Sequence, residues 1–158
     1  MAAVAPRQRS QNMFRAGRSL GHASSMFNHA LAERLGLSPT AWECLSLLLE
    51  NGPMPAGRLA ELTGLTTGAI TGLVDRLEVG GFVARQRDPG DRRRVIVAPV
   101  PAGLGGLQPL IDPMLDDMHL LNNEYSADEM AAVQTCLQQA ADILRKHALI
   151  LRAQSRDE

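Results

Sequence analysis

The sequence predicts a mainly α-helical fold carrying one small β-hairpin, and three observations predict it. Apolar residues recur at helical spacing over most of the chain, two helices near the middle are joined by a short glycine turn, and two β-prone runs follow them around Asp-Pro-Gly-Asp. With 158 residues, 45% apolar and 21% charged, the chain is long enough and ordinary enough in composition to bury a globular core. Only Met1 to about Arg9 reads as a loose tail.

The first helix is announced by Met13, Ala16, Leu20, Ala23, Phe27 and Ala30, one apolar stripe that Gly36 closes. Ser38-Pro39 opens a second helix by supplying a capping hydroxyl and then a proline at the first helical position, and Asn51-Gly52 ends it. Pro55 opens a short third helix, Ala56 to Leu62. The turn Thr63-Gly64-Leu65 separates it from a fourth that runs from Thr66 to about Val79 and stops at Gly80-Gly81. Two helices joined in this way form a helix-turn-helix. The runs Phe82 to Arg87 and Arg94 to Val100 then read as a hairpin, or wing, turning at Asp88-Pro89-Gly90-Asp91.

Beyond Pro101 a fifth helix shows Leu104, Leu107, Ile111, Leu115, Met118 and Leu121, with Pro109 and Pro113 expected to kink or delay it. Ser126 and Glu129 form a capping box for the last helix, whose Met130, Val133, Leu137, Ala140, Leu144 and Leu151 keep a near-heptad spacing. The expected organisation is a tail at 1–9, a winged helix-turn-helix lobe at 37–101, and a helical dimerisation region made of 10–36 and 102–158. The terminal helices are expected to pack on each other and on a second copy of the chain, because helix-turn-helix proteins commonly read two half-sites.

The net charge of −1 hides a gradient: +2 over residues 1–52, +2 over 53–99 and −5 over 100–158. The sharpest excess lies between Arg85 and Arg94, where five arginines accompany only Asp88 and Asp91. A polyanion would dock there and the acidic C-terminal part would stay clear of it. On the fourth helix Ile70, Leu73, Val74 and Leu77 form the core stripe, which leaves Thr66, Thr67, Gly68, Ala69, Thr71 and Gly72 at the open end. Small residues let a helix sink into a major groove, hydroxyls bond base edges or phosphates, and the helix N-terminus favours a phosphate. Arg92 and Arg93 follow at the hairpin turn, placed to enter a neighbouring minor groove.

Leu73-Val74-Asp75-Arg76-Leu77-Glu78, Gly80-Gly81-Phe82-Val83 and Asp88 to Val97 resemble the recognition helix and wing of the multiple-antibiotic-resistance regulator (MarR) family, whose wing signature Asp-x-Arg is met by Asp91-Arg92-Arg93 with Val97 beyond it. The resemblance implies an intertwined homodimer, MarR-like, with two winged lobes on double-stranded operator DNA. It gives Arg92 the minor-groove role, Asp91 and Arg93 the hold on the turn and a phosphate, and Thr66, Thr67 and Thr71, with Gly68 and Ala69 between them, the groove-facing end. It also implies a repressor that a small lipophilic or aromatic effector releases from a cleft between the dimer helices and the lobe. Met13, Phe14, Leu20, Met26, Phe27, Trp42 and Met114 are candidate walls of that cleft, though residues of these types are more often simple core, and no ligand contact is singled out. Two departures stand out: Pro99-Val100 replaces the family's Leu-Thr, so the fifth helix should begin late, and the first helix lacks the cysteine used by peroxide-sensing members.

Cys44 and Cys136 sit inside apolar helical patterns and read as small core residues rather than ligands. His22 and His29 share a face but find no further ligand spacing, and Asp112, Asp116 and Asp117 read as a solvated face, so no metal or cofactor is expected. No nucleophile–base arrangement or phosphate loop points to an enzyme. No stretch is apolar enough to span a bilayer and no signal core is present, which places the expected protein in the cytoplasm. Two readings remain: a ligand-responsive DNA-binding regulator, and a dimeric helical module whose wing binds an acidic protein.

Overall fold

A computed structural model describes residues 6–88, 90–91 and 94–154. In chain order the elements are α1 (Pro6–Arg34), α2 (Pro39–Asn51), α3 (Ala56–Thr63), α4 (Thr67–Val79), β1 (Val83–Arg87), β2 (Val95–Pro99), a single 3-10 turn (Pro101–Leu104), α5 (Gln108–Asn122) and α6 (Ala127–Gln154). The chain divides into two compact units, Met1–Leu110 and Ile111–Glu158.

The core of the first unit is where the helical stripes meet. Leu45 and Leu48 of α2, Leu59 of α3, Ile70 and Leu77 of α4 and Val83 of β1 are fully buried, and Leu31 and Ala32 of α1 join them. Burying side chains of this size stabilises the fold by about 1.5–3 kcal/mol each. Cys44 belongs to this core, and burial pushes its thiol up to about 11. Helix α1 packs against α2. The Trp42 indole N–H donates to Asn28 Oδ1 at 3.1 Å, and the C-terminal end of α1 is buried with the lobe.

The local signals act as chemistry requires. Ser38 caps α2 through its hydroxyl, which accepts the Ala41 N–H at 3.2 Å. Helix α1 starts at Pro6, inside the span expected to be a tail, because a proline is preorganised for a first turn; residues 1–5 lie outside the described residues. The junction from α4 to β1 is a Schellman turn: Gly81 N–H donates to Glu78 O at 3.0 Å and Phe82 N–H to Leu77 O at 2.9 Å, with Gly81 at φ 77°. The 3-10 turn packs so close to it that a Cβ on Gly103 would overlap the Gly81 carbonyl.

β1 and β2 pair antiparallel, with Val83 opposite Pro99, Arg85 opposite Val97 and Arg87 opposite Val95. Met54, before α3, adds a one-residue bridge to the other edge of β2: its N–H donates to Val97 O at 3.1 Å and its carbonyl accepts the Val97 N–H at 2.8 Å. That bridge ties the entry of the helix-turn-helix to the wing.

In the second unit the capping box of α6 is formed. The Ser126 N–H donates to Glu129 Oε2 at 2.9 Å, and the Glu129 N–H donates back to Ser126 Oγ at 3.3 Å. The Ser126 N–H, foremost, and the Ser126 hydroxyl, which donates to Glu129 Oε2 at 2.7 Å, hold the Glu129 carboxyl below its ordinary value. Pro113 lies inside α5, and α5 begins only at Gln108, after the 3-10 turn. Val133, Leu137, Ile143, Leu144 and Leu151 of α6 are exposed. Cys136 is exposed as well, which corrects its reading as a core residue. The reason is the same for all of them: α6 carries an apolar face that the single chain leaves open.

Candidate nucleic-acid interface

The turn between α3 and α4 shapes the interface. Gly64 caps α3 in the left-handed region, at φ 71° and ψ 19°, and its N–H donates to Ala60 O at 2.8 Å. A side chain at that position would strain the turn. Thr63 Oγ1 accepts the Leu65 N–H at 3.3 Å, which carries the chain to Thr66. Thr66 is extended, at φ −69° and ψ 153°, and its hydroxyl accepts the Ala69 N–H at 3.3 Å, so α4 starts with a satisfied cap. Thr66 therefore stands just outside the helix rather than within its first turn.

From that start, Ile70, Leu73, Val74 and Leu77 turn into the core, while Thr66, Thr67, Gly68, Ala69 and Thr71 are all exposed. Thr71 Oγ1 donates to Thr67 O at 2.9 Å, leaving its hydroxyl oxygen open to accept. Thr67, Thr71, Asp75 and Glu78 follow one another at helical steps and share one outer stripe of α4. Its first half presents hydroxyls and its second half carboxylates.

The wing adds its own geometry. Asp88 Oδ1 accepts the Gly90 N–H at 2.8 Å, Asp88 N–H donates to Arg94 O at 3.0 Å, and Arg94 N–H donates to Asp91 O at 2.9 Å. Asp91 and Arg94 are exposed at the turn. Arg92 and Arg93, the arginines expected to reach DNA, lie outside the described residues, as does Pro89.

Charge counting misjudged one arginine. Arg85 belongs to the basic run, yet its guanidinium forks between two acids of α4, with Nη1 donating to Glu78 Oε2 at 2.5 Å and Nη2 to Asp75 Oδ1 at 2.6 Å. Its backbone N–H also donates to Glu78 Oε1 at 2.9 Å. The backbone bond, then the side-chain bond, hold the Glu78 carboxyl below its usual range. Hydrogen bonding to Asp75, foremost, and to Glu78 raises the Arg85 guanidinium against the opposing effect of desolvation. The signal was present in the sequence: Val83 and Arg85 share a strand face by period two, and Val83 faces the core beside α4.

A separate groove of about 380 Å³ opens between α1 and α2, lined by Ser24, Ser25, Asn28, His29, Trp42 and Glu43 among others. Of the expected cleft walls, Trp42 is there, whereas Met13, Phe14, Leu20 and Met26 are exposed along α1. Among the described residues no group of three or more His, Cys, Asp or Glu is placed to hold a metal ion. Among those residues, too, no helix is long and apolar enough to cross a membrane.

Comparison with known proteins gives three results. Residues 37–95 match the MarR family. The uncharacterized HTH-type transcriptional regulator YcgE of Bacillus subtilis (strain 168) is 42% identical over 129 residues, 82% of this chain and 84% of that protein. The HTH-type transcriptional repressor NicR of Pseudomonas putida is 31% identical over 98 residues, 62% of each protein. Among solved structures, a MarR family protein from Bacillus stearothermophilus superposes with a TM-score of 0.65 over 89% of this chain and 99% of that one, at 21% identity, and so shares the fold.

Proposed function

This chain belongs to the MarR family of helix-turn-helix transcriptional regulators and is not an enzyme, and on that premise we propose that it is a homodimeric repressor of a pseudo-palindromic operator. One observation carries the reading: the recognition helix α4 buries Ile70, Leu73, Val74 and Leu77 and leaves its capped, small-residue end open to solvent beside the arginine-rich wing. Thr67, Gly68, Ala69 and Thr71 enter the major groove, Thr66 holds the helix end and a phosphate, and the wing residues Asp91, Arg92 and Arg93 serve the adjoining minor groove and backbone. The lobe is 37–101, and the helices of 10–36 and 102–158 form the dimer, a reading supported by the open apolar residues Leu137, Leu144 and Leu151 of α6. A lipophilic or aromatic effector lodging by Trp42 in the α1–α2 groove would bear on the lobe through α2. That NicR is a repressor favours repression over activation.

Selection of duplexes from a random pool tests this. The wild-type chain should enrich an imperfect palindrome with half-site centres about 10 base pairs apart. Thr67→Ala or Thr71→Ala should relax particular major-groove positions, and Arg92→Ala should act on flanking steps with a loss of about 1–3 kcal/mol. An enriched motif without two-fold symmetry, or the same positional loss for helix and wing variants, would refute the docking.

A further inference from the structure

The carboxylates of Asp75 and Glu78 pose a problem for a helix that faces DNA, because they continue the outer stripe on which Thr67 and Thr71 lie. Left bare, two anions on that stripe would repel the phosphates the helix approaches. Arg85 meets both of them from the strand that follows the helix, with one guanidinium nitrogen on each acid and its backbone N–H on Glu78. The three side chains stay partly in water, at 31% exposure for Arg85, 58% for Asp75 and 39% for Glu78. Screening therefore keeps their share of global stability small. What the fork supplies is direction: a planar guanidinium that satisfies two acceptors fixes the azimuth of α4 relative to β1, which a single flexible pair does not.

We propose that Arg85 is a positioning residue for DNA reading, holding the recognition helix in fixed register with the wing while offsetting one of the two negative charges of Asp75 and Glu78, and that it makes no phosphate contact of its own. The proposal rests on the operator-binding reading above and adds a role for a residue that charge counting assigned to the docking patch. It separates two outcomes by sign. If Arg85 were a phosphate contact that the acids hold back, removing an acid would free it and tighten binding. If Arg85 is the clamp, removing an acid loosens the register and weakens reading of the operator.

The test uses the full chain, the duplex enriched by the wild type from a random pool, and a random-sequence duplex of equal length. Fluorescence anisotropy gives the ratio of the two affinities for wild type, Glu78→Gln, Arg85→Gln and the double variant, with thermal melts confirming folding. We expect Glu78→Gln to lower the ratio by about tenfold in the wild-type background and to be neutral or favourable once Arg85 is Gln, within the range of coupling between contacting residues. Arg85→Lys should recover only part of the Arg85→Gln loss, since an ammonium cannot fork between two carboxylates. If Arg85→Gln fails to fold, the sign of Glu78→Gln and of Asp75→Asn alone decides. Tighter or unchanged binding by these acid variants overturns the proposal, as does simple additivity in the double variant. A wild type that enriches no duplex fails in its own arm and overturns the operator reading, and the clamp with it.

Discussion

Replacing Gly103 with alanine should cost more than replacing Gly81, although Gly81 is the residue with the left-handed backbone. At Gly81 the added Cβ would meet nothing within 4 Å, so the penalty is conformational alone. Holding an L-residue at φ 77° costs about 1–2 kcal/mol. At Gly103 the φ is unremarkable, but the Cβ would run into the carbonyl carbon and oxygen of Gly81 and press on the Phe82 Cα. Those atoms are backbone, and they belong to the Schellman turn whose N–H groups are committed to Glu78 and Leu77. They cannot yield without breaking that turn, so the cost should reach the upper part of the 1–3 kcal/mol range for overpacking, about 3 kcal/mol. For a chain of this length each kcal/mol moves Tm by about 2–4 °C. Gly103→Ala should therefore lower Tm by about 6–12 °C and Gly81→Ala by about 2–8 °C. Circular-dichroism melts at one fixed protein concentration measure both, since the proposed dimerisation would make Tm concentration-dependent. Because the clash pushes on the end of α4, Gly103→Ala should also weaken duplex binding at a temperature where it remains folded. A Gly103→Ala melt within 1 °C of wild type, or a Gly81→Ala loss larger than that of Gly103→Ala, would refute the steric argument.

The N-terminal cap of α4 gives a smaller effect: Thr66→Ala should destabilise by about 1 kcal/mol and Thr66→Ser should restore it, as read by urea titration. Acid sensitivity should involve Glu129, whose carboxyl is held below its ordinary 4.5 by the Ser126 N–H and hydroxyl. A depressed carboxylate stabilises above its unfolded value and loses that contribution as pH falls through its folded value. The stability gap between wild type and Glu129→Gln should accordingly be open at pH 7 and close below pH 4.5; a gap independent of pH would exclude the cap as its source. Sedimentation should show a dimer at micromolar concentration that Leu137→Glu with Leu144→Glu converts to monomer, and an unaltered dimer would remove α6 from the interface. Cys44, buried and pushed up to about 11, should resist thiol reagents at pH 8 until the chain is unfolded, and rapid native labelling there would contradict its burial.

On the proposed docking, the acids of α4 are partly offset by Arg85, although the chain as a whole carries a net charge of −1. What matters is where the uncompensated charge sits, and Arg85 offsets one of the two negative charges on the stripe that Thr67 and Thr71 begin. The same pairing lowers the free positive charge of the wing below what its arginine count suggests. The groove beside Trp42 is linked to α4 through α2, which carries Leu45 and Leu48 into the core shared with α4.

The sequence alone determined the elements and their order, because each rests on contacts within a few residues. The hydroxyl of Ser38, the hydroxyl of Thr66, the Ser126–Glu129 box and the glycines at positions 64 and 81 act on their own neighbours, so residue type and spacing suffice to place those helix ends to within a residue or so. The stripe Ile70, Leu73, Val74 and Leu77 likewise names its own buried face by period. Tertiary structure decided whatever depends on a partner distant along the chain. Met54 bridges to Val97 as a single residue with no periodicity to announce it. Gly103 owes its requirement to a carbonyl far back along the chain, and Arg85 owes its role to two acids on the preceding helix. Cys136 illustrates the converse, since an apolar pattern states that a face wants covering but not what covers it, and in the single chain that face remains open. Periodicity records a residue's preference for water or core, whereas a pairing exists only once two segments are brought to within a few ångströms, and that is a property of the folded chain.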